Sequence, residues 1–330
     1  MKRFCIKFCL LFLLIDGFIG LHYFCIRPNL TGDVGSIGQI PFGQEYNERL
    51  DEVCQHKPQM VQNITPDEPI TSSLITIGDS FSKRGKSGYS QFLAELLHQK
   101  IQNIQHDETP EQTLFQMLNH HQIPPQTTVV LEVVERNMVL FMCWIDFKDT
   151  RKASFKKTDG HGKKNPNDQR ILQDAMQFLK KSIGVLQPII SYTTSQELFS
   201  HPYRHNKLYI YDSPWYQDGD LRFSHLTEKD ISFAYQNMVA LHQMAESQGV
   251  KLIVVIAADK YDVYEPFITT SHPQNHTLDS CPVEPWIVNT KPILQKHAFA
   301  GTKDIYYIND THWSPVGARI VAEEIVERMK

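Results

Sequence analysis

The chain reads as an α/β protein built on a largely parallel sheet, and three observations predict it. Short apolar runs bounded by turn residues recur at Leu74–Ile77, Thr127–Val134 and Leu252–Ile256, the length and composition of strands buried on both faces. Between them lie stretches whose apolar residues repeat with a helical period. Strands and helices therefore alternate, the order that a parallel sheet with helices on its faces requires. The 330 residues allow one large or two modest domains. Hydrophobic residues at 41% and charged residues at 21% are ordinary globular composition. The formal charge of -4 gives no reason to expect nucleic-acid binding, and none is expected. No internal repeat or low-complexity tract stands out.

Residues 1–26 read as a signal anchor. Lys2, Arg3 and Lys7 precede the apolar run Phe8–Ile15, and apolar residues resume after Asp16 from Phe18 to Ile26. The whole run is near the roughly 20 residues that span a bilayer. Basic residues ahead of it predict a cytoplasmic N-terminus and an exported body. A cleaved signal peptide is the alternative. The long run and the lack of a clear Ala-x-Ala site favour a retained transmembrane helix; Asp16, costly inside a membrane, weighs against it. Three of the six cysteines (Cys5, Cys9, Cys25) fall here. Cys54, Cys143 and Cys281 match no metal spacing. In an oxidising compartment two of these can pair, Cys54 with Cys281 being one choice; buried free thiols are the alternative.

Residues 27–69 are polar, with scattered Pro and Gly, and read as a linker and lead-in. The globular domain then covers 70–330. Its first strand is Leu74–Ile77. Gly88–His98 reads as a helix with Phe92, Leu93, Leu96 and Leu97 on one face. Thr109-Pro110-Glu111-Gln112 is a capping box with proline at the first helical position, opening a helix to about His120. Pro124-Pro125 breaks it, and Thr127–Val134 is the second strand. Residues 148–170 carry eight basic residues, Lys148 to Arg170, with Gly160, Gly162 and Pro166. They read as an exposed insertion, a solvated loop or a basic rim for an anionic polymer. Ile171–Leu179 reads as helix and Lys207–Tyr211 as strand. Thr227–Gln248 is a long amphipathic helix ended by Gly249, and Leu252–Ile256 is the next buried strand. Tyr306–Ile308 reads as a short final strand. Ser314 caps, and Pro315 opens, the last helix.

Two segments carry chemistry. Leu74–Phe81 presents Gly78-Asp79-Ser80 at the carboxyl end of a strand, where open α/β sheets place their sites. Serine is a weak nucleophile and needs a base. His312 is the candidate base. Asp310, two residues earlier, points the same way in an extended segment and can orient the ring. One oxyanion donor is then the Ser80 backbone N–H. A lone Gly-Asp-Ser is more often a turn and a lone Asp-x-His a surface loop, so the argument rests on their occurring together.

Gly78-Asp79-Ser80-Phe81 and Asp310-Thr311-His312-Trp313 resemble the SGNH (GDSL-like) superfamily. The nearer resemblance is to its alginate O-acetyltransferase branch, exported partners of membrane-bound O-acyltransferases. Val130–Arg136 is similar to that branch's strand ending in Glu-Arg. Asp259-Lys260-Tyr261 is similar to its Asp-Lys-Tyr segment, and Asp310–Ala318 to its Asp-Thr-His-Trp-Thr-Pro-x-Gly-Ala run, with Ser314 for Thr. The resemblance implies an SGNH, flavodoxin-like α/β/α sandwich over roughly 70–330. It also implies acetyl transfer to a polysaccharide, with Ser80 carrying the acetyl group, a membrane-bound O-acyltransferase as donor, and no cofactor or metal. General SGNH enzymes use Asp-x-x-His; the spacing here is one residue shorter, as in the alginate branch. They also use a Gly and an Asn as oxyanion donors, and Arg136, or Asn137 beside it, is the substitute candidate. A salt bridge from Arg136 to Glu132 or Glu135 is the alternative.

Lys260 is a candidate contact to substrate or acyl donor, or else a solvated charge at a strand end. Tyr264 is a candidate donor to a substrate hydroxyl, or else packing under a loop. Trp313 is a candidate sugar-stacking face, or else a packing wedge. Asn29, Asn63, Asn275 and Asn309 each begin an Asn-x-Thr sequon. The expectation is a single-pass inner-membrane protein whose periplasmic domain O-acetylates an alginate-like exopolysaccharide or cell-wall glycan. An acetylesterase with the same Ser-His-Asp set, or a non-catalytic glycan-binding scaffold, are the alternatives.

Overall fold

A computed structural model describes residues 43–149, 151–154, 191–210, 212–213, 218–219, 228–276, 278–279 and 281–330. Six strands form the central sheet: β1 (Val61–Ile64), β2 (Leu74–Gly78), β3 (Ile101–Ile104), β4 (Thr128–Val134), β5 (Lys251–Ala257) and β6 (Ile287–Asn289). They lie in the order β1-β3-β2-β4-β5-β6, and every neighbouring pair runs parallel. Every residue of β2 and all but the first of β4 and β5 are buried, which is why these strands read as unbroken apolar runs.

The helices are α1 (Gly43–Gln55), α2 (Tyr89–Leu96), α3 (Pro110–Asn119), α4 (Glu135–Cys143), α5 (Glu228–Ser247), α6 (Lys260–Tyr264), α7 (Thr290–Phe299) and α8 (Pro315–Met329). Helix α8 packs on α2 and touches α7 and α1, whereas α4 packs on α5 with α3 against both. Two helical groups about one parallel sheet are consistent with an α/β/α sandwich. Local chemistry sets the helix ends as the sequence predicts. Thr109 accepts from the Gln112 N–H at the start of α3, and Ser314 from the Val316 N–H at the start of α8, each with Pro next. Gly249, at φ +70°, ends α5 in the left-handed conformation.

Three expectations change, and for the cysteines the free-thiol alternative holds. Residues 27–69 are more than a linker: α1 and β1 fall there, and β1 is an edge of the main sheet. Tyr306–Ile308 is not a sheet strand; Tyr306 forms only an isolated bridge with Trp313, and β6 takes the edge. Lys207–Tyr209 pairs antiparallel with Ser191–Thr193, off the main sheet. Cys54, Cys143 and Cys281 are all free thiols. The anchor at 1–26, the helix at 171–179 and most of the basic insertion lie outside the described residues. No helix among the described residues is long and apolar enough to cross a membrane.

The first turn of α8 runs close under the loop before it. A Cβ built on Gly317 would sit 2.2 Å from the Ile305 carbonyl oxygen, a backbone atom that cannot swing aside. Gly317→Ala is therefore expected to lower stability by about 1–3 kcal/mol, the usual cost of overpacking, measured by urea unfolding. An unchanged midpoint would show that α8 is free to slide.

Candidate active site

Strand β2 has β3 on one side and β4 on the other, so the chain direction across the sheet reverses at β2. The crevice beyond the carboxyl ends of β2 and β4 is the place where such sheets bind ligands. Asp79 and Ser80 leave β2 there, and Glu135–Asn137 open α4 directly after β4. Only glycine fits at position 78, because a Cβ would meet Ser82 Oγ at 2.1 Å and Glu132 Oε2 at 2.6 Å. Ser80 begins a short 3-10 turn, Ser80–Lys83, and is half-buried.

The loop from Asp304 to Ser314 brings Asp310 and His312 to the same place. Both are buried. His312 Nδ1 donates to Asp310 Oδ1 at 2.5 Å, and the His312 backbone N–H donates to the same oxygen at 2.9 Å. This is the i, i+2 pairing the sequence predicts, and it leaves Nε2 as the position of a general base. The ring of Phe81, the residue after Ser80, lies 4.7 Å from the His312 ring between centroids. Arg84, just past the same turn, reaches Asp310 Oδ2 at 3.4 Å. Phe81 and Arg84 thus join the serine's turn to the Asp–His pair. Burial alone would raise the Asp310 carboxyl; the hydrogen bond and charge of His312, with the Arg84 guanidinium, hold it well below the usual range instead.

The serine's surroundings hold a surplus of acids. Glu132 is fully buried on β4, and its Oε2 accepts from the Ser82 N–H at 3.2 Å and Ser82 Oγ at 3.0 Å. Burial, with the Asp79 charge adding to it, pushes Glu132 up to about 8. Glu111, fully buried in the first turn of α3, is pushed up to about 8 chiefly by burial, again with Asp79 nearby. Two carboxyls neutral at pH 7 therefore flank Asp79.

The remaining predicted residues are placed differently from expectation. The Ser80 N–H donates to Asp79 Oδ1 at 2.8 Å, so a backbone donor expected for an oxyanion is engaged by the neighbouring side chain. Asn137 Nδ2 faces Asp79 Oδ2 at 3.4 Å, in the crevice. The Arg136 guanidinium, only 9% exposed, is ion-paired with Asp259 at the end of β5, a partner other than Glu132 or Glu135. Glu135 instead accepts from the Asp259 N–H at 3.0 Å and from Asn275 at 2.9 Å. Lys260 is neither solvated nor aimed at a substrate. It is fully buried and donates to the carbonyls of Tyr307 at 2.9 Å, Ile308 at 2.8 Å and Asp310 at 3.4 Å.

Tyr264 is also fully buried, edge-on to Phe199 and Tyr306, and packs the loop from beneath. Trp313 is a wedge: it is 2% exposed, with Phe81 and Tyr89 edge-on to it. Buried Asn275 and Asn309 are closed to glycan attachment in the folded chain, whereas Asn63 is exposed. Sequence reasoning missed Arg84 and Glu111. Arg84 carried a signal, a basic residue four positions after the candidate nucleophile; Glu111 read only as part of a capping box. No group of three or more His, Cys, Asp or Glu suited to a metal ion occurs among the described residues.

No family model, no curated protein and no solved structure matches the chain.

The raised acids give a pH dependence. The folded state keeps the Glu111 and Glu132 protons up to about pH 8, whereas the unfolded chain releases them near ~4.3. The folded state therefore binds more protons across that interval, and their contribution falls as pH rises through it. Glu111→Gln is permanently neutral. It is expected to melt with wild type near about pH 5 and above it near about pH 8. Equal differences at both pH values would mean that Glu111 is ionised in the fold.

Proposed function

We propose that the protein is an exported serine-dependent O-acetyltransferase of SGNH type, acting through an acetyl-Ser80 on hydroxyls of an extracytoplasmic polysaccharide. The observation that carries this reading is the buried Asp310–His312 pair, bonded at 2.5 Å and packed against the turn that opens with Ser80. It supports a base held in one tautomer beside a serine at the crevice of a parallel sheet. In the first step Ser80 Oγ attacks the donor's acetyl carbonyl while His312 takes the hydroxyl proton. The imidazolium returns that proton to the leaving group as the donor bond breaks. In the second step a sugar hydroxyl attacks the acetyl-serine, and the same imidazole takes its proton. That proton passes to Ser80 Oγ as the serine ester breaks, which regenerates the serine. Asn137, in the crevice, is the remaining side-chain candidate for the oxyanion once Arg136 is committed to Asp259.

A membrane-bound O-acyltransferase is the proposed acetyl donor, and residues 1–26 the proposed anchor at the periplasmic face of the inner membrane. The test supplies an activated acetyl donor with candidate oligosaccharides to the full chain. Wild type is expected to acetylate sugar, and Ser80→Ala to lose ~10²–10⁴ in rate or more with its melting curve unchanged; His312→Ala is expected to lose as much in rate and also to melt lower, since it leaves Asp310 buried without its partner. Free acetate without acetylated sugar would make the protein an acetylesterase. Full activity in Ser80→Ala would end both enzymatic readings.

A further inference from the structure

Asp310 is fixed from two sides. Its Oδ1 takes the His312 ring and backbone N–H groups, and its Oδ2 takes Arg84. Arg84 is itself held. Its guanidinium lies 4.8 Å over the Tyr307 ring. The Tyr307 hydroxyl donates to Asp51 on α1, and the Tyr307 N–H donates to the His312 carbonyl at 3.2 Å. A chain of contacts therefore runs from α1 through Tyr307 and Arg84 to Asp310 and His312. Helix α1 is fastened to the same loop at two further points, Tyr46 to Asp304 at 2.5 Å and Asn47 to Asn309.

We propose that Arg84, backed by Asp51 and Tyr307, is a positioning residue that locks Asp310 onto His312 and sets the basicity of that imidazole. The proposal rests on the reading of His312 as the base. A cation beside the carboxylate weakens its hold on an imidazolium, so more of His312 stays in the neutral form that accepts a proton. Asp51 acts in the opposite sense, because it shares the guanidinium's charge. Asp310 is the ring's direct partner, and Glu132, largely neutral, approaches from the sheet side with Asp79 beyond it. Lys260 lies beneath the loop, where its charge is spent on carbonyl oxygens.

The opposed signs make the test sharp. The His312 imidazole is titrated by NMR in the full chain with isotope-labelled histidine, its signal assigned by its loss in His312→Gln. Arg84→Gln is expected to raise the titration midpoint by roughly half a unit or more, and Asp51→Asn to lower it. Arg84→Lys keeps the charge and should stay near wild type in midpoint. Turnover of p-nitrophenyl acetate by Arg84→Gln should fall about tenfold in kcat, less than loss of a base costs, with KM little moved. Its acid limb should follow the NMR midpoint upward.

A purely structural Arg84 would lower the melting temperature and leave the His312 midpoint in place. That result, or midpoints moving the same way in Arg84→Gln and Asp51→Asn, overturns the proposal. If Arg84→Gln does not fold, Asp51→Asn decides by the sign of its shift. The titration needs no activity, so a catalytically silent wild type would defeat the acetyltransferase reading while the Arg84 coupling is still decided.

Discussion

The site depends on one buried cation. Lys260 has no exposed surface, and its ammonium is taken up by the carbonyls of Tyr307, Ile308 and Asp310. Burying a charge is costly unless polar groups replace its water. Here backbone dipoles do so, with the Phe199 ring 5.2 Å away. The same contacts gather three carbonyls of one short, irregular stretch around one point. That loop then has one conformation, and in it Asp310 and His312 face the serine's turn. Lys260 opens α6 directly beyond β5, the middle of the sheet's second half. The loop is thus pinned to a fully paired strand, and the pair inherits the rigidity of the core.

The acids near Ser80 follow a second constraint. The Asp79 charge lies close enough to Glu111 and Glu132 to add to the upward push of burial on each, and both glutamates are fully buried. Three carboxylates there would repel one another and would stabilise an imidazolium at His312. Burial keeps Glu111 and Glu132 protonated near neutral pH, so the acidic cluster carries less charge than its composition suggests. Glu132 then serves as a brace, tying β4 to Ser82 in the turn that starts with Ser80. A carboxyl with one proton can accept from Ser82 and stay neutral, which a buried carboxylate with one such partner could do only at high cost.

What the sequence revealed and what it hid have the same physical origin. Strands β2, β4 and β5 were legible because burial on both faces demands continuous apolar runs. The Asp310–His312 pair was legible because its geometry is local, two residues in one extended segment. Lys260, Arg136 and Arg84 were misread or missed because their partners are remote in the chain; Arg84 and Asp310 are 226 positions apart. Tyr306–Ile308 looked like a strand from its residues. The Tyr307 and Ile308 carbonyls, which a ladder would need, are taken by Lys260 instead. Helix α1 looked like linker because its contacts to the site loop are polar. Tyr46, Asn47 and Asp51 give hydrogen bonds rather than an apolar stripe, and periodicity does not detect those.

Burial also bears on transfer against hydrolysis. An acyl-serine is lost to any water that reaches it beside a competent base. His312 is 1% exposed, covered by Phe81 on one side, with Trp313 wedged behind. Ser80, in the turn whose Phe81 covers that ring, is only half-buried. On the proposed acyl-serine reading, an acceptor has to reach the base beside Ser80. A sugar bound across the crevice would bring its hydroxyl there with much of the entropy of approach already lost, whereas a water molecule would compete from solution. The half-exposed turn and the sealed histidine are the features on which the proposed preference for a bound acceptor over water rests, the difference between a transferase and an esterase built from the same three residues.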